Sequence, residues 1–268
     1  MPILELPHSP HASGISPVSI HYREFGRGAP LVILHGGWGY CVHPFDWQIS
    51  ALASQFRILI PDRSGYGLST RVTSAMALDF HQRAAAETLA FLDALGMESA
   101  FLWGHSDGAV IAAMMGLTAP GRCARLILEA FHYLRRKPGS RSFFERFAAC
   151  PEDLGEETRR LLAEDHGETH WQTVVRRNCS AWFQIADNVQ RPDEDLYGGR
   201  LGKLRVPALF LHGELDPRTE PGEMDCVRKA LPCATMRIIA AGRHSPHSEE
   251  DAWQECNESA GEFLRKGL

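Results

Sequence analysis

Apolar and polar positions along the chain switch between two periods. Val18 to Phe25 alternates enough to predict an early strand, and Leu31 to Leu34 is a short apolar run leading into His35-Gly36-Gly37-Trp38-Gly39. Residues 44 to 55 carry apolar side chains at helical spacing through Phe45, Ile49 and Leu52. A second buried strand runs from Arg57 to Ile60 and ends at Pro61-Asp62. Over 79 to 95, Phe80, Ala84, Leu89, Leu92 and Leu95 share one broad face, which is the period of an amphipathic helix. A strand at 99–104, a helix over 107–118 and a strand from Arg125 to Ala130 follow. Strands this continuously apolar, separated by helices, predict a parallel sheet covered on both faces.

The pattern then changes. Residues 132–203 are rich in charge and offer no strand; helices are expected near 140–149, 156–164 and 168–186. The Arg135-Arg136-Lys137 run reads as a solvated face. Strand character returns from Val206 to Leu211, followed by a helix over 221–231, a strand over 235–240 and a helix over 249–266. Ser248 is the expected N-cap of that last helix, with three acids in its first turn. An α/β core made of residues 1–131 and 204–268 is therefore interrupted by a helical block at 132–203.

Composition narrows the picture without naming a chemistry. The chain has 268 residues, with 44% hydrophobic and 23% charged positions and a net charge of −5. Those values fit an ordinary globular protein and give no basic footprint for nucleic acid. No apolar run approaches the length of a membrane span, and the first residues lack the basic-then-apolar order of a secretory signal, so a cytoplasmic location is expected. The seven cysteines are scattered, with no C-x-x-C, and are expected to be mostly reduced and buried. No zinc-type spacing occurs, and neither a metal nor a cofactor is expected.

The densest chemical signal lies at Phe101-Leu102-Trp103-Gly104-His105-Ser106-Asp107-Gly108-Ala109-Val110. An apolar run enters G-x-S-x-G and leaves into residues suited to a helix. A sharp strand-to-helix turn of this kind holds a serine hydroxyl clear of the backbone, with glycines where neighbouring backbone leaves no room for a β-carbon. Serine is a poor nucleophile until an imidazole takes its proton, and the imidazole needs an acid to set its tautomer. The expected order is serine, acid, histidine. Asp216 follows the strand Leu209-Phe210-Leu211-His212-Gly213, and His244 follows the last strand. Glu129, at the end of an earlier strand, is the reserve acid, and His247 is the rival histidine.

With these parts assembled, the chain resembles the α/β-hydrolase fold superfamily: serine hydrolases on a mostly parallel central sheet, with an inserted helical cap. The resemblance spans nearly the whole chain. It rests on His35-Gly36-Gly37, Asp62-Arg-Ser-Gly-Tyr-Gly-Leu-Ser69, Gly104-His-Ser-Asp-Gly108, Val206-Pro-Ala-Leu-Phe-Leu-His-Gly-Glu-Leu-Asp216 and Gly242-Arg-His244. It implies Ser106 as nucleophile, Asp216 as acid and His244 as base. It also implies an oxyanion hole from the backbone N–H groups of Asp107 and Gly37, with Trp38 as the alternative to Gly37. Related dehalogenases and epoxide hydrolases carry aspartate where this chain has Ser106, which turns the expectation away from those chemistries.

The Asp107 carboxylate has two readings: a hydrogen-bonded support of the turn, or a partner for a substrate ammonium. Trp38, Trp103, Phe131, His132 and Tyr133 are candidates to line a substrate pocket, against ordinary packing for each. The expected activity is cofactor-free hydrolysis of a small ester, amide or related acyl compound. Two alternatives are a carbon–carbon bond hydrolase of a ring-cleavage product and a small-molecule receptor that keeps the triad. The expected partner is a small-molecule substrate, with no nucleic acid and no membrane, and the protein is expected to be a monomer or homodimer.

Overall fold

The computed structural model describes residues 2–268. Eight strands form one sheet in the order β1-β2-β4-β3-β5-β6-β7-β8. They are β1 (Ile3–Leu6), β2 (Val18–Gly26), β3 (Ala29–Leu34), β4 (Phe56–Pro61), β5 (Ala100–His105), β6 (Cys123–Glu129), β7 (Ala208–Gly213) and β8 (Thr235–Ile239). From β4 through β8 all neighbours are parallel; β2 runs antiparallel to both β1 and β4. β1 escapes the apolar pattern because it is four residues at an edge, with only Leu6 buried.

Side-chain alternation along β5 shows how the sheet separates two cores. Leu102 joins the cluster containing α2 (Phe80–Ala94) and α3 (Asp107–Thr118), while Phe101 and Trp103 join the opposite cluster with α1 (Asp46–Leu52) and α8 (Trp253–Arg265). The middle of α3 is buried on every side, from Asp107 to Gly116, which places it at the centre of the molecule. The remaining helix of the core is α7 (Glu223–Ala230), between β7 and β8.

Between β6 and β7 the regular elements are helical: α4 (Arg141–Ala149), α5 (Glu156–His166) and α6 (Trp171–Asp187). This stretch is bound to the core by buried polar side chains. Glu223 accepts the backbone N–H groups of Tyr133 (2.7 Å) and Leu134 (2.9 Å) and the ammonium of Lys137. Lys137 is therefore turned inward, so the basic run at 135–137 is not a uniformly solvated face. Asp165 accepts the N–H groups of Tyr40 (2.7 Å) and Cys41 (3.1 Å), and His166 bonds the carbonyl of Trp38 (3.0 Å).

Two further expectations are corrected. Ser248 does not cap the last helix: it ends a 3-10 turn at Pro246–Ser248, and α8 begins at Trp253. Glu249 is used elsewhere, accepting the N–H groups of Arg243 (2.6 Å) and Ser245 (2.8 Å) on either side of His244. All seven cysteines are unpaired, but only Cys123, Cys179 and Cys256 are buried.

Several histidines are buried with a ring nitrogen that finds no partner, among them His11 and His105. Burial, reinforced by Arg63 and Arg177, lowers His11 to about 3. Burial also holds His35 and His105 well below their ordinary value. In the unfolded chain each would titrate near its usual pKa of about 6.5. Below that pH the unfolded state binds more protons than the native one, so stability is complete above about 6.5 and declines as pH falls toward the native-state values. Between pH 6.5 and 5, His11 alone costs about 2 kcal/mol. Glu87, whose buried carboxyl is pushed up, works in the opposite sense, but the histidines outnumber it. Thermal melts at pH 7 and pH 5 should therefore differ by about 5 °C or more, the acidic sample being less stable; equal melting temperatures would show that these imidazoles are protonated at no cost.

Candidate active site

The turn from β5 into α3 is the most constrained part of the backbone. Ser106 adopts φ 54° and ψ −118°, a conformation L-residues rarely occupy. The crossing is tight enough that a β-carbon at Gly104 would lie 2.1 Å from the carbonyl oxygen of Gly108, and one at Gly108 would lie 2.0 Å from that of Leu34. The result is a serine at the carboxyl end of the central strand, with α3 starting at the next residue. The Asp107 N–H, first in the helix, has no intrahelical acceptor.

Ser106, Asp216 and His244 converge from three separate loops. His244 Nε2 lies 3.1 Å from Ser106 Oγ, and His244 Nδ1 lies 3.0 Å from each carboxylate oxygen of Asp216. Burial opposes ionisation of Asp216, but the charge and hydrogen bond of His244 and the N–H of Arg218 outweigh it and hold the carboxyl below its ordinary value. The His244 loop is tied from behind. His105 Nε2 sits 3.0 Å from both the His244 carbonyl and the Ser245 hydroxyl, and Glu249 holds the flanking N–H groups.

Glu129 and His247 are paired with each other instead. His247 Nδ1 is 2.7 Å from Glu129, whose second oxygen accepts the indole N–H of Trp103 at 2.8 Å. His247 also stacks on Phe45, with ring centroids 3.8 Å apart. Neither residue is available to Ser106.

A cavity of about 220 Å³ opens over Ser106. Of the expected pocket residues Trp38 and His132 line it, with Gly37 and Asp107 beside them; Phe143, Phe144, Trp182, Pro217 and Arg218 do so as well. Trp103, Phe131 and Tyr133 do not line it. Trp103 alternates to the far face of β5, Phe131 stacks on Tyr197 at 5.3 Å, and Tyr133 packs toward Tyr197 at the base of the helical stretch. No periodicity marks Phe143, Phe144 or Trp182, because their arrival depends on how helices pack. Arg218 had a signal: it follows Asp216 by two residues in a strand-end loop.

The carboxylate of Asp107 is buried and fully engaged. It accepts from Asn178 Nδ2 (2.6 Å) and Trp182 Nε1 (3.0 Å) and lies 3.1 Å from His81 Nε2. Burial alone would raise its pKa; the His81 contact, Arg63 and Asn178 reverse that and lower it. These contacts match the reading of Asp107 as a support of the turn. Asn178 also packs on Gly37, where a β-carbon would approach its side-chain oxygen to 2.4 Å. One side chain from α6 thus touches both residues implied for the oxyanion hole.

His132 stands closer to the reacting centre than a lining residue needs to. Its Nε2 is 3.3 Å from Ser106 Oγ, its ring stacks near that of His244, and its Nδ1 is buried without a partner. Burial, with Lys137 and His244 adding, keeps it well below the ordinary histidine value.

A family model for the alpha/beta hydrolase fold matches residues 29–180. The chain belongs to the α/β-hydrolase fold family. Among curated relatives of this hydrolase, the human serine hydrolase BPHL is 25% identical over 254 residues, covering 94% of this chain and 84% of the human protein. A pimeloyl-[acyl-carrier protein] methyl ester esterase from Aliivibrio salmonicida is 37% identical over 114 residues, covering 42% of this chain and 40% of that protein. Among solved structures, a thermophilic esterase from Thermogutta terrifontis superposes with a TM-score of 0.72 at 19% identity, covering 100% of this chain and 99% of the other. No described helix is long and apolar enough to cross a membrane.

The backbone crossing yields a direct test. Gly104→Ala and Gly108→Ala should each lose about 4 kcal/mol or more in urea unfolding, since backbone rather than a movable side chain meets the new carbon. Gly155→Ala, where the added carbon meets nothing within 4 Å, should stay within about 0.5 kcal/mol of the parent. Comparable midpoints for all three would remove the steric account of the turn.

Proposed function

We propose that this hydrolase cleaves small esters, amides or related acyl compounds through a covalent acyl-enzyme. The observation that carries the reading is the Ser106–His244–Asp216 hydrogen-bond chain at the floor of a small, mostly apolar cavity. In this reading Ser106 Oγ attacks the substrate carbonyl carbon while His244 Nε2 takes the hydroxyl proton. Asp216 keeps the His244 Nδ1–H donor in place and stabilises the imidazolium. Negative charge builds on the carbonyl oxygen, where the N–H groups of Asp107 and Gly37 receive it; one such donor is worth about 3 kcal/mol. His244 then passes its proton to the leaving group. Water, activated by the same imidazole, attacks the acyl-enzyme, and the returning proton restores Ser106.

His132 has a defined part in this cycle. The single proton of the Ser106 hydroxyl goes to His244, so Oγ can only accept from a second imidazole. The neutral Nε2–H tautomer of His132 supplies that donor and leaves Nδ1 as a bare acceptor, a smaller cost than a stranded N–H. The donor steadies Oγ as it loses its proton. Residues 132–203 act as the cap that closes the cavity over the substrate.

A panel of small esters, amides and vinylogous diketones, run on the parent and on Ser106→Ala, tests the reading. The variant should lose about 10⁴-fold or more in kcat, and a fluorophosphonate should add its mass at Ser106 in the parent alone. Undiminished turnover by Ser106→Ala would end the proposal, and cleavage confined to diketones would redirect it to carbon–carbon hydrolysis. His132→Phe should lower kcat/KM by about 10- to 100-fold while leaving the acidic limb of the pH profile unmoved. A shifted limb would mean that His132 itself is the titrating base.

A further inference from the structure

Arg218 is the one cation among the cavity-lining residues that carries a permanent charge, and it is left without a counter-ion. Its guanidinium lies 3.5 Å from the centre of the Phe143 ring. Among the described residues its side chain takes part in no hydrogen bond and no ion pair; its hydrogen bonds run through the backbone, from its N–H to Asp216 Oδ1 at 2.8 Å and from Lys137 Nζ to its carbonyl at 3.5 Å. The nearby carboxylates are already committed. Asp216 holds His244 with both oxygens, and Asp107 holds His81, Asn178 and Trp182.

A half-buried arginine in this state is unusual physically. Desolvation works against the charged form, and burial does lower its pKa here, with Asp216 only partly opposing. Stacking on an aromatic face recovers a fraction of the lost hydration and leaves the N–H donors of the fork unused. The same stacking, with Pro217 preceding it in the backbone, holds the fork in one place before any ligand arrives. A prepositioned guanidinium with free donors, in the same mostly apolar cavity as Ser106, is a receptor for a planar anion.

We infer that Arg218 selects substrates that carry a carboxylate distal to the scissile acyl bond, so that half-acids of dicarboxylic esters or amides are the preferred class. This rests on the hydrolase reading and adds to it the charge of the substrate. The apolar walls, Trp38, Phe143, Phe144 and Trp182, accommodate the methylene chain between the two ends. Binding the distal carboxylate sets the position of the carbonyl over Ser106.

The test uses two ester series of matched shape: the monomethyl esters of succinate, glutarate and adipate, and the same molecules with the free carboxylate replaced by a neutral carboxamide. Hydrolysis is followed by pH-stat. The parent should favour the half-acid by 10-fold or more in kcat/KM at one chain length at least, mostly through KM, and added salt should narrow the preference. In Arg218→Met and Arg218→Gln, each checked by its melting curve, the ratio of half-acid to carboxamide should fall by 10-fold or more; Arg218→Lys should keep part of it. Equal use of both series by the parent, or an unchanged ratio in both variants, overturns the inference and leaves the hydrolase reading standing. If the parent cleaves neither series, the hydrolase reading fails on these substrates. Calorimetric binding of adipate monomethyl ester against its carboxamide, to the parent and to Arg218→Met, then still decides the anion site: selective binding that the variant loses upholds it, and absent or unselective binding overturns it.

Discussion

The site depends on a contact between backbones. Where β5 turns into α3, the peptide groups of Gly104, Gly108 and Leu34 come so close that no side chain fits between them. That approach drives Ser106 into a left-handed conformation and lifts its hydroxyl off the end of the sheet. It also brings β3, and hence the His35-Gly36-Gly37 loop, alongside the start of α3. A single steric constraint therefore positions the serine hydroxyl, the first free N–H of a buried helix and the loop expected to supply a second donor.

Around that turn, each buried carboxylate has its own set of hydrogen-bond donors. Asp216 is matched by His244, Asp107 by its three donors, and Glu129 by His247 and Trp103. Each carboxylate is satisfied where it stands. Five imidazoles, those of His43, His105, His132, His244 and His247, gather in the same region. Burial lowers His43 to about 3 and holds His105 and His132 well below the ordinary value.

What could be read from the sequence follows how local its causes are. The parallel sheet, the elbow and the placing of Asp216 and His244 after strands are written in short apolar runs and turn residues, and they were legible. β1 was not, because four edge residues carry too little pattern. Ser248 was misread because the acids after it serve the His244 loop rather than a helix start, a use that only the folded loop reveals. Trp103 lies away from the cavity because the alternation along β5 turns it to the face opposite Leu102. Phe143, Phe144 and Trp182 were invisible, since the packing of α4 and α6 brings them over Ser106 from distant positions. Asp107 was left with two readings, and its three donors, which match the supporting role, come from elements far away in the chain.

The grip of α5 and α6 on the core divides the helical stretch into parts with unequal freedom to change. Asp165 and His166 hold the loop that carries Trp38, and Asn178 bears on Gly37 and Asp107 together. A substitution at any of these disturbs the loop at Gly37 and Trp38 or the turn at Asp107 beneath it. Phe143 and Phe144 on α4 touch the cavity wall instead, Phe143 against Trp38 and Arg218 and Phe144 against Trp182. Changes on α4 therefore alter the shape of the cavity wall, whereas changes at these positions of α5 and α6 move its floor.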